Sequence, residues 1–296
     1  MFEKYIPVTR VQQLEHHLKD GTRIAIKLYI PWELKDDKGF IDTKAQKYST
    51  LVFSGKKNGE EIANEKFPAI LEFIPYSKDA NTTLERDQAR HSWWASHGYV
   101  CVRPDMRGSG ESGGLYFDEY EPQEQDDCIE LINWLSSQSW SNGKVGMYGK
   151  SWGGFNGLQV AFRQPKQLKA VITLYSTDDR YSDDIHYMGG CVIGNGMLSW
   201  ASRMFVLNAR PLNPRYFDDK SEWEKEYKYR LENASDPWDK IWLSHQKGTD
   251  PYWRHGSINQ NISRVECAVL AIGGYADGYT NAAFRMAGTL NESSKV

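Results

Sequence analysis

Short apolar segments alternate along this chain with longer segments of helical periodicity. β-Branched and apolar residues predict six strands, at residues 22–30, 69–74, 99–103, 144–148, 170–175 and 267–273. Apolar positions spaced by three or four residues predict three helices, at 85–97, 126–135 and 155–164. Strands that alternate with helices are typical of a mostly parallel sheet with helices on both faces. The pattern therefore predicts an α/β fold.

Two stretches break this alternation. Residues 35–66 are polar and rich in Lys and Gly, which predicts a hairpin or a long loop. Residues 183–261 are Trp-rich, charged and helix-like, and we expect them to form a helical cap inserted over the ligand edge of the sheet. The expected organisation is a first part of the core at 1–182, the cap, and a second part of the core at 262–296.

Composition narrows the function classes. The chain has 296 residues, of which 40% are hydrophobic and 25% are charged, as in an ordinary soluble globular protein. Its net charge is −3 and it has no sustained basic run, which argues against a nucleic-acid partner. It has no secretory leader and no apolar run long enough to cross a bilayer, so a cytoplasmic location without a membrane partner is expected. The four cysteines form no CxxC pair, and neither a metal nor an organic cofactor is expected.

The pattern G-x-S-x-G, which marks serine nucleophiles in α/β-hydrolases, occurs twice. Gly149–Gly153 follows the apolar segment KVGMY and precedes the helix-like FNGLQVAFRQ, so Ser151 would lie at a tight turn between a strand and a helix. Such a turn exposes the serine hydroxyl above the sheet edge, and the backbone N–H of Trp152 would face a developing oxyanion. The pattern therefore makes Ser151 the candidate nucleophile.

The second match, at residues 110–114, continues into LYFDEYEP, which is not helix-like. We interpret it as a structural loop after the strand at 99–103. Asp105 and Arg107, which precede this loop, are expected to form charge-assisted hydrogen bonds with nearby backbone.

A serine nucleophile needs a histidine base and an acid that orients it. In α/β-hydrolases the chain order is Ser, acid, His, and Asp277 follows a predicted strand at the position expected for the acid. No histidine follows Asp277. His255 precedes the acid and would break the usual order, so the simpler expectation is a chain that ends before its base. An alternative role for Asp277 is to cap the turn.

A second oxyanion donor is normally supplied by the loop after the third strand of the sheet. In this chain that loop is IPYSKD, and the hydroxyl of Tyr76 could donate in place of a backbone N–H. Considered alone, Tyr76 could equally be a packing aromatic residue.

Four segments, IPYSKD, DMRGSGESGG, GKSWGG and GGYADGYTN, resemble in order and spacing the cocaine esterase-like (CocE/NonD) hydrolases, relatives of the Xaa-Pro dipeptidyl peptidases. The resemblance implies an α/β-hydrolase fold with a helical cap. It also implies that Ser151 is the nucleophile, that Asp277 is the acid, and that Tyr76 and the amide of Trp152 form the oxyanion hole. Family members carry the catalytic His beyond the acid, followed by a C-terminal β-sandwich domain. Both are missing here, which implies an N-terminal fragment.

The resemblance implies a serine hydrolase that cleaves an acyl ester or a peptide with an N-terminal Xaa-Pro. Its partner would be a small ester or a short peptide, and a homo-oligomer is left open. The rival class is a non-catalytic binding protein on a hydrolase scaffold, which applies if the protein truly ends at Val296. A second rival keeps the enzyme and recruits His255 as base.

Residues 178–186 contain four acids and His186 directly after a predicted strand. The acids could receive a substrate ammonium group, or they could pair with Arg180 and solvent, and we favour pairing. We expect His186 to be a structural hydrogen-bonding residue.

Overall fold

A seven-stranded sheet forms the centre of the molecule. The computed structural model describes residues 10–31, 56–57, 60–61 and 66–296. The strands of the sheet are β1 (Arg10–His17), β2 (Arg23–Ile30), β5 (Phe67–Leu71), β6 (Val100–Pro104), β7 (Ser141–Lys150), β8 (Leu168–Leu174) and β11 (Ala268–Ile272). Two pairs of two-residue strands lie outside it, namely β3 (Lys56–Lys57) with β4 (Glu60–Glu61), and β9 (Tyr187–Met188) with β10 (Cys191–Val192).

The strand order is β1-β2-β6-β5-β7-β8-β11. β1, β2 and β6 pair antiparallel, whereas the pairs from β6 through β5, β7 and β8 to β11 are parallel. The prediction of a mostly parallel sheet is therefore confirmed. Because parallel strands end at one edge, the loops after β5, β7 and β11 are brought to the same side of the molecule.

Eight helices connect or cover the strands in the part of the chain that the structure describes. They are α1 (Asn81–Ala95), α2 (Pro122–Ser137), α3 (Trp152–Phe162), α4 (Gly194–Asn208), α5 (Lys220–Asn233), α6 (Asp239–Ser244), α7 (Pro251–Arg254) and α8 (Thr280–Ala287). Two 3₁₀ turns, at Pro214–Tyr216 and Asn259–Arg264, complete the helical elements. Four of these helices, α4 to α7, and both 3₁₀ turns lie between β8 and β11, together with β9 and β10.

The two faces of the sheet are covered by different helices. On one face Leu28 and Val102 belong to the main apolar core, together with Leu131 of α2 and Leu158 of α3. The alternate residues of the same strands point to the other face, where they pack against α1. Helices on both faces are thus also confirmed.

Several element boundaries differ from the sequence-based expectation. Helix α1 begins at Asn81 instead of residue 85, and β7 extends to Lys150. The pattern missed β1, because RVQQLEHH is largely polar and β1 lies at the edge of the sheet. Of the polar stretch at 35–66, only β3, β4 and Lys66 lie within the described residues.

A second apolar cluster lies among the helices between β8 and β11. Its buried members include Trp152, Tyr120 and three tryptophans of the helical stretch, Trp238, Trp242 and Trp253. These large rings pack in edge-on or tilted pairs, such as Trp238 with Trp242 at 6.2 Å between ring centroids. The cluster joins the helical stretch directly to the start of α3.

The cysteines are all free thiols. Cys101 and Cys128 are buried, Cys267 is half-buried and Cys191 is exposed. Within the described ranges, the structure contains no helix that combines the length and apolarity needed to cross a bilayer.

Candidate active site

Ser151 occupies the turn between β7 and α3 and has an unusual backbone conformation. Its φ is 53° and its ψ is −120°, in the positive-φ region that residues other than glycine rarely adopt. Its backbone N–H donates to the carbonyl oxygen of Leu174 at 2.9 Å, which ties the turn to β8. Backbone strain of this kind is typical of functional sites, and a serine at a strained strand-to-helix turn is the geometry of a nucleophile elbow.

The glycines of the motif make this turn sterically accessible. A Cβ on Gly149 would lie 2.1 Å from the backbone carbon of Gly153. A Cβ on Gly153 would lie 2.7 Å from the side chain of Ile74, three residues after the neighbouring strand β5. Both contacts are too short for any side chain, so strand, turn and helix approach this closely only with glycine at these positions.

Trp152 presents its backbone and its side chain to different surroundings. As the first residue of α3 its backbone N–H has no acceptor within the helix, as an oxyanion donor requires. Its indole Nε1 donates to Oε1 of Glu124 at 2.6 Å in a buried contact. The indole is 1% exposed and packs on the ring of Tyr120 at 5.0 Å.

Tyr76 lies in the loop after β5, half-buried beside the helical stretch. Its ring meets that of Trp200 of α4 edge-on at 6.3 Å, and its carbonyl oxygen accepts from the guanidinium of Arg103. Burial raises the pKa of Tyr76, so the hydroxyl remains protonated and can donate a hydrogen bond at neutral pH.

The loop that carries Tyr76 is held by buried charges. Lys78 Nζ lies 2.9 Å from Asp105 Oδ2 and 3.0 Å from Asp79 Oδ2, and Asp105 Oδ1 accepts the backbone N–H of Lys78 at 2.6 Å. Asp105 also accepts the N–H of Glu111 at 2.9 Å. The expected charge-assisted bonds of Asp105 to backbone are confirmed, and they link the Tyr76 loop to the second G-x-S-x-G loop.

The second serine has a structural role, as expected. Ser112 is fully buried, and its Oγ donates to the carbonyl of Asp105 at 2.7 Å and accepts the N–H of Ala25 at 2.9 Å. The expectation for Arg107 is wrong, since its partners are side chains. It binds both carboxylate oxygens of Asp127, at 2.7 and 2.8 Å, and extends to Asp20 and Thr22.

Asp277 follows β11, two strands away from β7, at the same edge of the sheet as Ser151. The residue is half-buried, and its Oδ1 accepts the backbone N–H of Tyr279 at 2.9 Å. Its own N–H donates to Gly274 at 3.1 Å. Asp277 thus organises the turn before α8, which is the capping role that we had set as the alternative.

The structure adds Tyr279, which the sequence analysis did not single out. Its side chain lies beside that of Ser151, and its ring packs edge-on against Phe155 at 5.5 Å between ring centroids. Burial raises the pKa of Tyr279, so the hydroxyl is neutral beside the serine. Its place two residues after the candidate acid was the only available signal, and tyrosines are too common for that to suffice.

The histidines that could serve as a base are engaged elsewhere. His255 Nε2 donates to the carbonyl oxygen of Tyr120 at 2.7 Å, and burial lowers the pKa of its imidazole. His186 is fully buried, with Nε2 at 2.9 Å from Glu119 and Nδ1 at 3.5 Å from Asp184. The other five lie on β1 (His16, His17), on or just after α1 (His91, His97) and after α6 (His245).

The acids at 178–186 are paired inside the protein. Asp178 and Asp183 both bind Arg285 of α8, and Asp179 accepts the backbone N–H groups of Tyr181 and Ser182. Our favoured interpretation, that the acids are paired, therefore holds, but the partner is different from the one expected.

Arg180 is partnered by other groups. It donates to the carbonyl oxygens of Tyr252 and His255 at 3.0 and 2.9 Å and lies 3.4 Å from Glu119.

Two buried clusters have metal-ligand residue types, Glu72 with Asp87 and His91, and Glu119 with Asp184 and His186. In both clusters an arginine already neutralises the carboxylates, Arg90 at Glu72 and Arg180 at Glu119. The two ring nitrogens of His186 each face a carboxylate, as in a protonated imidazole, which is no metal ligand. Both arrangements fit ion-pair networks better than metal sites.

Comparison with known proteins agrees with this geometry. The model of the X-Pro dipeptidyl-peptidase family (S15 family) matches residues 62–295. The chain belongs to the S15 family. Solved structures similar to it include a CocE/NonD family hydrolase from Staphylococcus aureus, with a TM-score of 0.60 and 19% identity over 88% of this chain and 40% of that one. An α-amino acid ester hydrolase has a TM-score of 0.58 and 17% identity over 97% of this chain and 47% of that one. These likenesses confirm the α/β-hydrolase fold.

Curated relatives of this S15-family chain carry esterase and peptidase names. A putative serine esterase of Mycobacterium bovis is 28% identical over 58% of this chain and 25% of its own length. The cocaine esterase of a Rhodococcus species is 28% identical over 62% of this chain and 27% of its own. A putative Xaa-Pro dipeptidyl-peptidase of Streptomyces avermitilis is 24% identical over 48% of this chain and 25% of its own. The chain thus spans about a quarter of the length of the relatives it matches.

Proposed function

We propose that this chain carries the nucleophile of a serine hydrolase that cleaves an ester or amide bond through an acyl-serine intermediate. The observation that carries the proposal is the conformation of Ser151, with φ 53° and ψ −120° between β7 and α3. Positive φ also occurs at Tyr120, Gln164 and Tyr175, but of these residues only Ser151 combines it with the turn between a strand and a helix that an elbow nucleophile requires.

In the proposed reaction, Ser151 Oγ attacks the carbonyl carbon of the substrate and its proton passes to a histidine base. The carbonyl oxygen becomes an oxyanion, which the backbone N–H of Trp152 and the hydroxyl of Tyr76 stabilise. The histidine then protonates the leaving alcohol or amine. Water releases the acyl group from Ser151 in the reverse sequence of proton transfers.

The histidine of this proposal lies outside the 296 residues, and Asp277 orients it. Support comes from the placement of the histidines within the described chain, where His255 and His186 are both held by other groups. The carboxylate of Asp277 is half-buried, which leaves it accessible to an imidazole.

The proposed substrates are small acyl esters or peptides with an N-terminal Xaa-Pro, in line with the names of the relatives. The aromatic rings of Tyr76 and Trp200, which are both half-buried and lie 6.3 Å apart, would form one apolar wall beside the serine.

Labelling with a fluorophosphonate tests the proposal. The full-length protein should be labelled at Ser151, and Ser151→Ala should abolish both labelling and ester hydrolysis while circular dichroism stays unchanged. Activity of Ser151→Ala close to that of the wild type would sink the assignment. A folded, full-length protein that reacts no faster than a free serine would favour a non-catalytic binding role. Loss of labelling in a folded His255→Ala variant would instead identify His255 as the base.

A further inference from the structure

A buried carboxyl group lies directly behind the candidate nucleophile turn. Glu124 of α2 is 8% exposed, and its two oxygens receive two different donors. Oε1 accepts the indole N–H of Trp152 at 2.6 Å, and Oε2 accepts the backbone N–H of Tyr120 at 2.9 Å. Glu124 therefore links Trp152, the residue after Ser151, to Tyr120, whose ring packs against Trp152.

Among the residues that the structure describes, no cation is paired with Glu124. The charged group that acts on it most strongly is another acid, Glu119, which is itself paired with His186 and Arg180. Arg107 lines the same 260 Å³ cavity as Glu124, but both oxygens of Asp127 bind its guanidinium.

The remaining titratable neighbours also bring no positive charge. They are Glu121, which lines the same cavity, Tyr116 and Cys128. An ionised carboxylate at this place would be a buried charge without a counter-ion, which is strongly unfavourable.

A side-chain amide lies next to the carboxyl group. Asn156 of α3 is within hydrogen-bonding reach of Glu124, and its Nδ2 donates to the carbonyl oxygen of Phe73 at 2.9 Å. This bond sets the orientation of the amide. Asn156 Oδ1 is then buried without a partner. A protonated Glu124 keeps its hydrogen bonds from Trp152 and Tyr120, because a carboxylic acid retains acceptor capacity on its oxygens.

We propose that Glu124 is a positioning residue that works as a neutral carboxylic acid and accepts hydrogen bonds from Trp152 and Tyr120. In this form it holds the Trp152 side chain, and so the oxyanion-donating turn, without placing a negative charge behind the oxyanion. Burial raises the pKa of Glu124 to about 8, although hydrogen bonds from Trp152, Asn156 and Tyr120 lower it. Ionisation at higher pH adds a charge of the same sign as the developing oxyanion.

The catalytic part of this inference rests on the proposed function, whereas the protonation part does not. Infrared difference spectroscopy of the full-length protein, wild type minus Glu124→Gln, should show the C=O stretch of a protonated carboxylic acid at pH 6. That band should disappear as the pH rises through about 8. Glu130→Gln, on the same helix, is the matched control. Its spectrum minus that of Glu124→Gln should show the same band.

A folded Glu124→Gln variant that lacks this difference band would overturn the proposal, whether or not Ser151 is a nucleophile. Trp152→Phe offers a second route if Glu124→Gln fails to fold. It removes a donor that favours the ionised form, so the midpoint of the band's disappearance should move to higher pH, and an unchanged or lower midpoint contradicts the inference.

The kinetic readout is the rate of fluorophosphonate labelling against pH. The wild type should lose about tenfold in rate as Glu124 ionises, in addition to any titration of the base. Glu124→Gln, which cannot ionise, should retain its rate over the same interval. If Glu124→Gln still loses labelling rate at alkaline pH, another group causes that loss of rate. If neither the wild type nor any variant is labelled but the infrared band is intact, the serine hydrolase proposal is refuted and the protonation of Glu124 stands.

Discussion

Lys78 and Asp105 form an ion pair of 2.9 Å whose two side chains are completely excluded from solvent. The pair lies two residues beyond Tyr76 and joins the loop after β5 to the end of β6. Charges are rarely buried unless a partner and further hydrogen bonds satisfy them, and Asp105 accepts two backbone N–H groups besides the lysine. The position of Tyr76 thus depends on electrostatic contacts that the apolar core does not provide.

Lys78→Met should destabilise the protein by about 3–5 kcal/mol, because it leaves Asp105 buried without its counter-ion. Urea unfolding of the variant measures the loss. Lys228→Met is the control, since its ion pair with Glu232 is highly exposed, and it should not change the unfolding midpoint. A Lys78→Met protein as stable as the wild type would show that the pair contributes little.

The two G-x-S-x-G serines should behave in opposite ways. Ser112→Ala removes the acceptor of the buried N–H of Ala25 and should cost about 1–3 kcal/mol in unfolding free energy, while labelling at Ser151 continues. Ser151→Ala should abolish labelling. Parallel denaturation and labelling of both variants provide the comparison, and loss of labelling in a folded Ser112→Ala protein would contradict our assignment of the two motifs.

Tyr279→Phe tests whether the tyrosine beside Ser151 serves as its base. Its pKa is raised by burial, so it holds its proton at neutral pH, and the strongest contact that it can offer Ser151 is one neutral hydrogen bond. Loss of such a bond changes a rate by about tenfold or less. The labelling rate of the variant should stay within that limit, and a loss as complete as that of Ser151→Ala would identify Tyr279 as indispensable to the proton transfer.

His186 should titrate well above the other histidines. Burial by itself lowers its pKa, but the facing carboxylates of Glu119 and Asp184 outweigh that effect and raise the pKa to about 9. NMR titration should therefore show an imidazole signal with a midpoint near 9 that disappears in His186→Gln. The pKa of His255 is lowered by burial, so this residue serves as the internal contrast.

The same titration affects stability. Because the pKa of His186 is raised in the folded state, its contribution is fully present below about pH 6.5 and is lost as the pH rises through about 9. The expected loss is about 3 kcal/mol of unfolding free energy. The raised pKa of Glu124 acts in the same direction, from about pH 4.5 to about 8. Unfolding free energies that are equal at pH 6.5 and 9 would contradict both assignments.

The sequence by itself determined which segments form the parallel strands, which segments between them form helices, and where the turn at Ser151 lies. These features are local. Strand and helix reveal themselves through the period of apolar positions within a few residues, and the turn through glycines at fixed offsets from the serine. The apolar pattern did not predict the polar edge strand β1, because its sequence lacks a regular apolar alternation. It also did not predict the first turn of α1, because NTTL carries no apolar period.

Only the tertiary structure decided which side chains surround the serine. Arg285 reaches Asp178 across 107 positions, Trp152 reaches Glu124 across 28, and Tyr279 reaches Ser151 from the loop after β11. No sequence period encodes such contacts, because they arise when strands distant in the chain end at one edge and their loops converge. The protonation states follow from the same cause, since burial and neighbouring charges exist only once the chain has folded.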